Sequence, residues 1–355
     1  MNIGILTANR TNNNGTILQT AAMYRMFSNL VPSTEIIDYK CLKLERSRRF
    51  FYTLSIKDIL KIPERIYKYI TYENFRKKNF RTSLKTYDAT NFNLNCYDVV
   101  IVGSDQIWNL TLTGNDLSFF LPAYAGNFRR FSYAASIGKY SVSEWDKRYH
   151  ISKLLKKFEC VTVRESSAIA ALAKINIPSY EILDPILCLS KKEWEDMGEK
   201  KYKKKPYIVI YLVEQNDDAL DFAREYASYY GYDIFRIEGL SKPKKGIKIL
   251  PFISLSKWIT MVSHAELVLT NSYHCLSMSI ILEKNFRLFP LRCYEQNCRS
   301  YDLLNKLNLT QFITKEFSSN SIYKTPNWSE VNIVLDSLRK DSINYIKSIK
   351  GEVIC

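Results

Sequence analysis

Residues 97–109 run Tyr97-Asp98-Val99-Val100-Ile101-Val102-Gly103-Ser104-Asp105-Gln106-Ile107-Trp108-Asn109. Four successive β-branched apolar residues without polar alternation describe a strand buried on both faces. The run breaks at Gly103 into a short polar turn, so polar side chains stand just beyond a strand end. The same arrangement recurs on either side. Upstream, Asn2 to Thr7 is a short apolar run followed by polar residues that end in Asn13-Asn14-Gly15. Ile17, Leu18, Ala21, Ala22, Met26 and Leu30 then recur with helical period, and Glu35-Ile36-Ile37-Asp38-Tyr39 reads as the next strand. Strand, helix and strand in that order form a βαβ unit, which calls for a parallel sheet.

Downstream, Arg130 to Ser136 is a strand ending at Ile137-Gly138, and a helix is expected from about Ser143 to Phe158. Cys160-Val161-Thr162-Val163 runs into Arg164-Glu165, and Ile182-Leu183 into Asp184-Pro185. The charge run at 191–205 (KKEWEDMGEKKYKKK) reads as an interdomain linker. Beyond it, Tyr207 to Val213, Tyr232 to Ile237 and Leu267 to Thr270 are strands alternating with helices, and an amphipathic helix occupies about 328–349. The chain therefore reads as α/β, with two doubly wound, Rossmann-like domains facing a cleft. The first spans 1–195, the second 205–327, and a C-terminal helix fills 328–355. Ligands of such sheets bind beyond the carboxyl ends of strands. The polar clusters at 9–16, 103–109, 136–138, 164–165 and 270–274 all follow strands.

Residues 45–87 stand apart, with Lys, Arg, Tyr and Phe interleaved at helical spacing. They read as a basic aromatic helical insert in the first domain, either packed as a solvated helix pair or resting on an anionic membrane surface. The chain has 355 residues, which suggests about two domains. With 46% apolar and 25% charged residues it is not a disordered chain, and 11 Gly and 10 Pro exclude collagen-like and linker-rich architectures. The formal charge of +15 points to an acidic partner. That charge is spread over both halves without a nucleic-acid motif, so no nucleic-acid partner is expected. No apolar run reaches the length of a membrane helix, and the N-terminus does not read as a signal peptide. The cysteines, Cys41, Cys96, Cys160, Cys188, Cys275, Cys293, Cys298 and Cys355, include no CxxC pair. They are expected to be reduced thiols of a cytoplasmic protein, with no metal site. GxGxxG, GKS/T, HExxH and GxSxG are absent, which argues against P-loop NTPases, zincins and α/β-hydrolases.

Three histidines occur. His150 reads as a surface residue and His264 as structural. His274 sits at a strand-to-helix switch, where helix N–H groups favour an anion and an imidazole can move a proton near neutral pH. Arg164 could hold a carboxylate or phosphate, or form a structural ion pair. Arg299 is a weaker candidate of the same kind. Asp105 and Gln106 could bind sugar hydroxyls, with Trp108 stacked on a sugar ring or buried in the core. Asn14 and Gly15 open a helix and offer hydrogen bonds to an acceptor.

Seven segments in order, NNNGTILQTAAMYRM, YDVVIVGSDQIWN, FSYAASIG, VTVRESSA, ILDP, LVLTNSYHCLSMSIIL and NCRSYDLLNKLNL, resemble the polysaccharide pyruvyl transferase family. The resemblance implies a GT-B-like fold, with the acceptor on the first domain and the donor on the second. It implies transfer of a pyruvyl group from phosphoenolpyruvate, as co-substrate, to a sugar of a surface polysaccharide (capsule or exopolysaccharide) or its lipid-linked precursor, forming a ketal. No other cofactor is implied. By the same match His274 is the acid/base and Arg164 a donor-holding, catalytic residue, with Asn271, Ser272, Tyr273 and Arg299 around the donor. Asn14, Gly15, Asp105, Gln106 and Trp108 fall to the acceptor. Many family members carry an arginine two positions before the histidine, where this chain has Ser272. Either Arg299, Arg292 or a lysine replaces that charge, or the donor differs. The alternative is a GT-B glycosyltransferase using a nucleotide sugar. A lipid-linked acceptor would place the protein peripherally at the inner membrane face.

Overall fold

The computed structural model describes residues 1–45, 62–138, 142–200, 205–237, 245–251, 253–314 and 325–351. The chain divides into two compact units, the first comprising Met1–Tyr52, Arg76–Cys188 and Ser337–Cys355, the second Thr53–Phe75 and Leu189–Asp336.

In chain order the first part supplies β1 (Ile3–Leu6), α1 (Asn14–Ser28), β2 (Glu35–Tyr39), α2 (Ile62–Asn79) and β3 (Thr82–Tyr87). It continues with β4 (Val99–Asp105), β5 (Arg129–Ala135), β6 (Thr162–Val163), α3 (Ser166–Ala173) and β7 (Tyr180–Glu181). These strands form one sheet in the order β3-β2-β1-β4-β5-β6-β7, parallel throughout. The order reverses between β1 and β4, the doubly wound switch point. Both strands lie in the middle of the sheet, and Ile5, Leu6 and Val99 to Val102 have no exposed surface. The apolar run Val99–Val102 is thus the centre of the core.

The second unit contains β8 (Tyr207–Tyr211), α4 (Asp217–Tyr230), β9 (Asp233–Ile237), β10 (Lys248–Leu250), α5 (Leu255–Ser263) and β11 (Leu267–Thr270). After these come α6 (Tyr273–Ile281), β12 (Phe286–Leu288) and α7 (Cys298–Lys306), and then α8 (Trp328–Lys350), whose residues from Ser337 onward belong to the first unit. Its sheet runs β10-β9-β8-β11-β12, again parallel, with the reversal between β8 and β11. Ile208, Ile210, Leu267 and Leu269 pack with Phe222 and Ala223 of α4 as its core.

Three expectations need correction. The stretch 45–87 is not helical throughout: 46–61 lie outside the described residues, 62–79 form α2, and Thr82–Tyr87 is the edge strand β3. There, Ser83 and Tyr87 are buried while Leu84, Lys85 and Thr86 face outward, as an edge strand permits. The charge run at 191–205 is not simply a linker. Lys191–Met197 is a helix closed by a Ser190–Glu193 capping box, and it buries Trp194 and Met197, three residues apart. The helix expected over 143–158 is broken at His150, whose φ of 52° ends one helical segment and starts the next. His150 is exposed, while His264 caps α5 with Nδ1 2.8 Å from Ser263 Oγ and 3.0 Å from the Thr260 carbonyl oxygen. Neither takes part in the clusters described next.

Candidate active site

Each sheet carries a polar cluster at its switch point, where the carboxyl ends of two diverging connections leave room for a ligand. In the first unit, buried Gln19 of α1 ties the two central strands together. Its Nε2 donates to Thr7 Oγ1 (3.0 Å), and its Oε1 accepts from the Ser104 backbone N–H (3.2 Å). Gly103, with φ of 140°, is required here because a Cβ would collide with the Tyr133 carbonyl oxygen. Asp105 follows at φ 75°, a left-handed conformation that a non-glycine residue rarely adopts.

The Asp105 carboxylate is held on three sides. Thr16 Oγ1 donates to Oδ2 (2.7 Å), its neighbour's Gln106 N–H donates to Oδ1 (2.9 Å), and Arg164 Nη2 lies 3.5 Å from Oδ1. The carboxylate keeps 17% of its side-chain surface in solvent. Arg164 is different, with a side chain only 1% exposed. Besides Asp105 it meets Asp184 Oδ2 at 3.1 Å and Glu165 Oε2 at 3.5 Å. Glu165 in turn accepts from Ser136 Oγ at 2.5 Å. One buried guanidinium thus bridges the three carboxylates that follow β4, β6 and β7. Arg164 is therefore a strut among acids, not a surface presented to an anionic donor, whose phosphate would meet the same three carboxylates.

Trp108 also departs from expectation. It is 1% exposed, donates Nε1–H to the Phe119 carbonyl oxygen (2.8 Å), and stacks on Phe120 with centroids 5.8 Å apart. It belongs to the core, since an indole whose one donor is satisfied inside gains most by full burial. Gln106 is half-buried, and its Oε1 accepts from Asn109 Nδ2 (3.1 Å). Gly138 passes so close that a Cβ would come within 2.6 Å of that Nδ2. Asn14, half-buried, and Gly15, buried, form the first turn of α1. Asn13 caps that turn, accepting from the Thr16 N–H at 3.2 Å.

In the second unit the switch point is closed by Asn271. Its Oδ1 accepts from the Val213 N–H and its Nδ2 donates to the Glu214 carbonyl oxygen, both at 2.7 Å. Asn271 therefore clamps the two strand ends rather than reaching for a ligand. Ser272 is the N-cap of α6, accepting from the Cys275 N–H at 3.5 Å, so this side chain ends the strand and starts the helix. Tyr273 and His274 occupy the first turn, both half-buried, with ring centroids 5.4 Å apart. Arg299, from the first turn of α7, lies over the Tyr273 ring at 5.2 Å. Arg292 instead pairs with Glu214 at 3.1 Å and is 83% exposed. Of the two arginines weighed as replacements for the charge absent at Ser272, Arg299 is the one beside the α6 turn. Burial pushes the Cys275 thiol up to about 12, so this neighbour of His274 stays protonated and is no nucleophile.

Two features of these ends were not legible in sequence. Arg236, buried at the end of β9, donates Nη2–H to Gln215 Oε1 at 2.7 Å. A charged residue inside Asp233–Ile237 was the available signal, because burying a guanidinium in a strand is costly unless it is used. Near the Glu214–Arg292 pair, an open hollow of about 840 Å3 is lined by Asn216, Asp218, Arg292, Asn297 and Tyr301 among others. Among the described residues no group of three or more His, Cys, Asp or Glu is placed to hold a metal ion.

A family model for polysaccharide pyruvyl transferase matches residues 15–291 of the chain. No curated protein sequence matches it significantly. Solved structures do resemble it. A Listeria monocytogenes protein assigned as a UDP-N-acetylglucosamine 2-epimerase aligns with a TM-score of 0.53 at 10% identity, over 99% of this chain and 97% of that one. The UDP-GlcNAc 2-epimerase of Neisseria meningitidis, bound to UDP-GlcNAc, aligns at 0.51 and 11% identity, over 99% of each chain. S. aureus MnaA with UDP aligns at 0.50 and 9% identity, over 99% and 97%. At such identities these likenesses speak for the fold, which is of the GT-B type: α/β, with two doubly wound parallel sheets. The family match covers both switch-point clusters from Thr16 to His274, and by it this chain belongs to the polysaccharide pyruvyl transferases.

Proposed function

We propose that the chain transfers the pyruvyl group of phosphoenolpyruvate to two hydroxyls of a sugar in a surface polysaccharide or its lipid-linked precursor, forming a cyclic ketal. The observation that carries this reading is the first turn of α6. There an imidazole, helix N–H groups and the Arg299 guanidinium over Tyr273 lie together at a switch point. Phosphoenolpyruvate has a carboxylate and a phosphate, and both need cationic or N–H partners. In the reaction the methylene carbon gains a proton and one hydroxyl oxygen bonds to the adjacent carbon. The carbon–oxygen bond to phosphate then breaks, with its electron pair leaving on phosphate, and the second hydroxyl oxygen closes the ring. Two hydroxyl protons are lost, one ending on the new methyl group and the other leaving with phosphate. His274 delivers the proton to carbon. In this reading Asp105, Gln106 and Asn14 of the first unit orient the acceptor. Arg164 and Thr16 are positioning residues for Asp105. Phosphoenolpyruvate is a cytosolic metabolite, which favours a cytoplasmic enzyme working at the inner membrane face on a lipid-linked acceptor.

Asn at position 105 keeps the size and tolerates positive φ, but it gives up the negative charge. Asp105→Asn is expected to raise the acceptor KM by about 10-fold or more, as loss of a charge-assisted hydrogen bond predicts, while leaving the phosphoenolpyruvate KM close to the parent's. Steady-state phosphate release at varied acceptor concentration checks this. An unchanged acceptor KM would return Asp105 to a structural role.

A second reading, a GT-B glycosyltransferase with a nucleotide-sugar donor, is favoured by the hollow of about 840 Å3 in the second unit and by Ser272 in place of arginine. A ligand that binds the native state raises the melting temperature. Phosphoenolpyruvate is expected to raise it for the parent protein, and Arg299→Ala to weaken that effect by about 10-fold or more in concentration, as loss of a charge-assisted contact predicts. Stabilisation by UDP-sugars with none by phosphoenolpyruvate would favour the second reading.

A further inference from the structure

Helix α2 carries apolar residues on its outward side as well as its inward one. At 3.6 residues per turn, Pro63, Ile66, Tyr67, Ile70, Asn74, Lys77 and Lys78 fall on one side, and all seven are exposed. Ile66, Tyr67 and Ile70 leave 42%, 36% and 52% of their surface in water. The opposite side buries polar groups: Glu64 is 8% and Arg76 5% exposed, beside Tyr72 and Phe75. Glu64 is tied to Lys68 at 2.7 Å, and Arg76 Nε donates to the Asn9 carbonyl oxygen at 2.9 Å. Tyr72 and Phe75, with Arg76, anchor the inward side, while Ile66, Tyr67 and Ile70 leave a second apolar strip on the outward side, where a surface helix ordinarily carries polar residues. The inward side is already committed, so the outward side is shaped for something other than water.

Charge indicates what that is. Two lysines continue the apolar face toward the C-terminal end of the helix, and the helix carries five basic residues, Arg65, Lys68, Arg76, Lys77 and Lys78, against Glu64 and Glu73. The whole chain is at +15. Isoleucines and a tyrosine at the level of headgroups, followed by lysines on lipid phosphates, are the two components of interfacial binding. We infer that the Ile66–Tyr67–Ile70 face of α2, with Lys77 and Lys78, is a docking surface for an anionic lipid bilayer. The inference deepens the proposed use of a lipid-linked acceptor by naming the face that reaches the membrane. It stands on the helix itself and not on the donor chemistry.

The test uses the full chain without donor or acceptor, so its outcome is independent of whether phosphoenolpyruvate is the substrate. Co-sedimentation is measured with vesicles of phosphatidylcholine alone and of phosphatidylcholine with phosphatidylglycerol, at low and high salt. Binding is expected with the anionic vesicles, falling with salt as charge screening requires. Lys77→Glu combined with Lys78→Glu is expected to weaken it by about fivefold or more per lysine, and Ile70→Glu to abolish it. Ile70→Ser, a milder change at an exposed site, is expected to weaken binding with an unchanged melting temperature. Equal binding by parent and variants, or none by the parent, overturns the inference. So does a loss of self-association in Ile70→Glu with vesicle binding unaltered, which would make the face a contact between two copies of the chain.

Discussion

His274→Ala is expected to cut the rate of pyruvyl transfer by about 10²–10⁴-fold, the range for loss of a general acid/base, without unfolding the protein. The imidazole is half-buried in the first turn of α6, and the turn does not depend on it: Ser272 supplies the cap, and Cys275, Leu276 and Met278 anchor the helix in the core. Alanine is a good helix former, so α6 should persist. His274→Gln keeps a polar side chain but no ring nitrogen that can carry a proton, and should be nearly as slow. The loss should fall on kcat, since the proton reaches the methylene carbon only during reaction, whereas the donor contacts proposed above are Arg299 and the helix N–H groups. Single-turnover phosphate release checks the split. A raised KM with kcat unchanged would make His274 a binding residue.

The largest stability effect is expected at Arg164. Arg164→Ala would leave Asp105, Glu165 and Asp184 close together and uncompensated, two of them almost wholly buried. Removing one partner of a buried ion cluster costs about 3–5 kcal/mol, since the remaining carboxylates keep their hydrogen bonds but lose the counter-charge that offset their lost solvation. Arg164→Lys keeps the charge but not the fork that spans Asp184 and Asp105, and should lie between. Denaturant titration of parent, Arg164→Ala and Arg164→Lys measures this. A residue whose job was to hold a mobile anionic donor would behave oppositely, with Arg164→Ala near parental stability.

The fold was legible because its signals are local. Val99 to Val102 have to be a central strand, and the polar turn after them has to lie at a sheet end. The same reasoning places Thr270 to His274. Trp108 went the other way because a polar turn says nothing about which side of the sheet the next residue enters. Arg164 could be placed at a strand end, but its partners Asp184 and Asp105 lie 20 and 59 residues away. Their number decides whether the guanidinium is free for a ligand, and no local pattern carries that count. The choice between Arg292 and Arg299 is likewise tertiary: both follow β12, and only the turn through Asn297 sends one to Glu214 and the other over Tyr273. The exposed apolar face of α2 was visible as periodicity. Which side faced outward was not, because a helix of alternating Ile, Tyr and Lys offers two plausible inner faces.

Incubation of the protein with isotopically labelled phosphoenolpyruvate and a panel of lipid-linked saccharides, scoring phosphate release and acceptor mass together, tests the donor assignment most directly. One phosphate is expected for each label gained, with the acceptor heavier by one pyruvyl ketal and transfer by His274→Ala slowed by about 10²–10⁴-fold. Label transfer without phosphate release, or mass gain that requires a nucleotide sugar in place of phosphoenolpyruvate, would contradict the donor assignment.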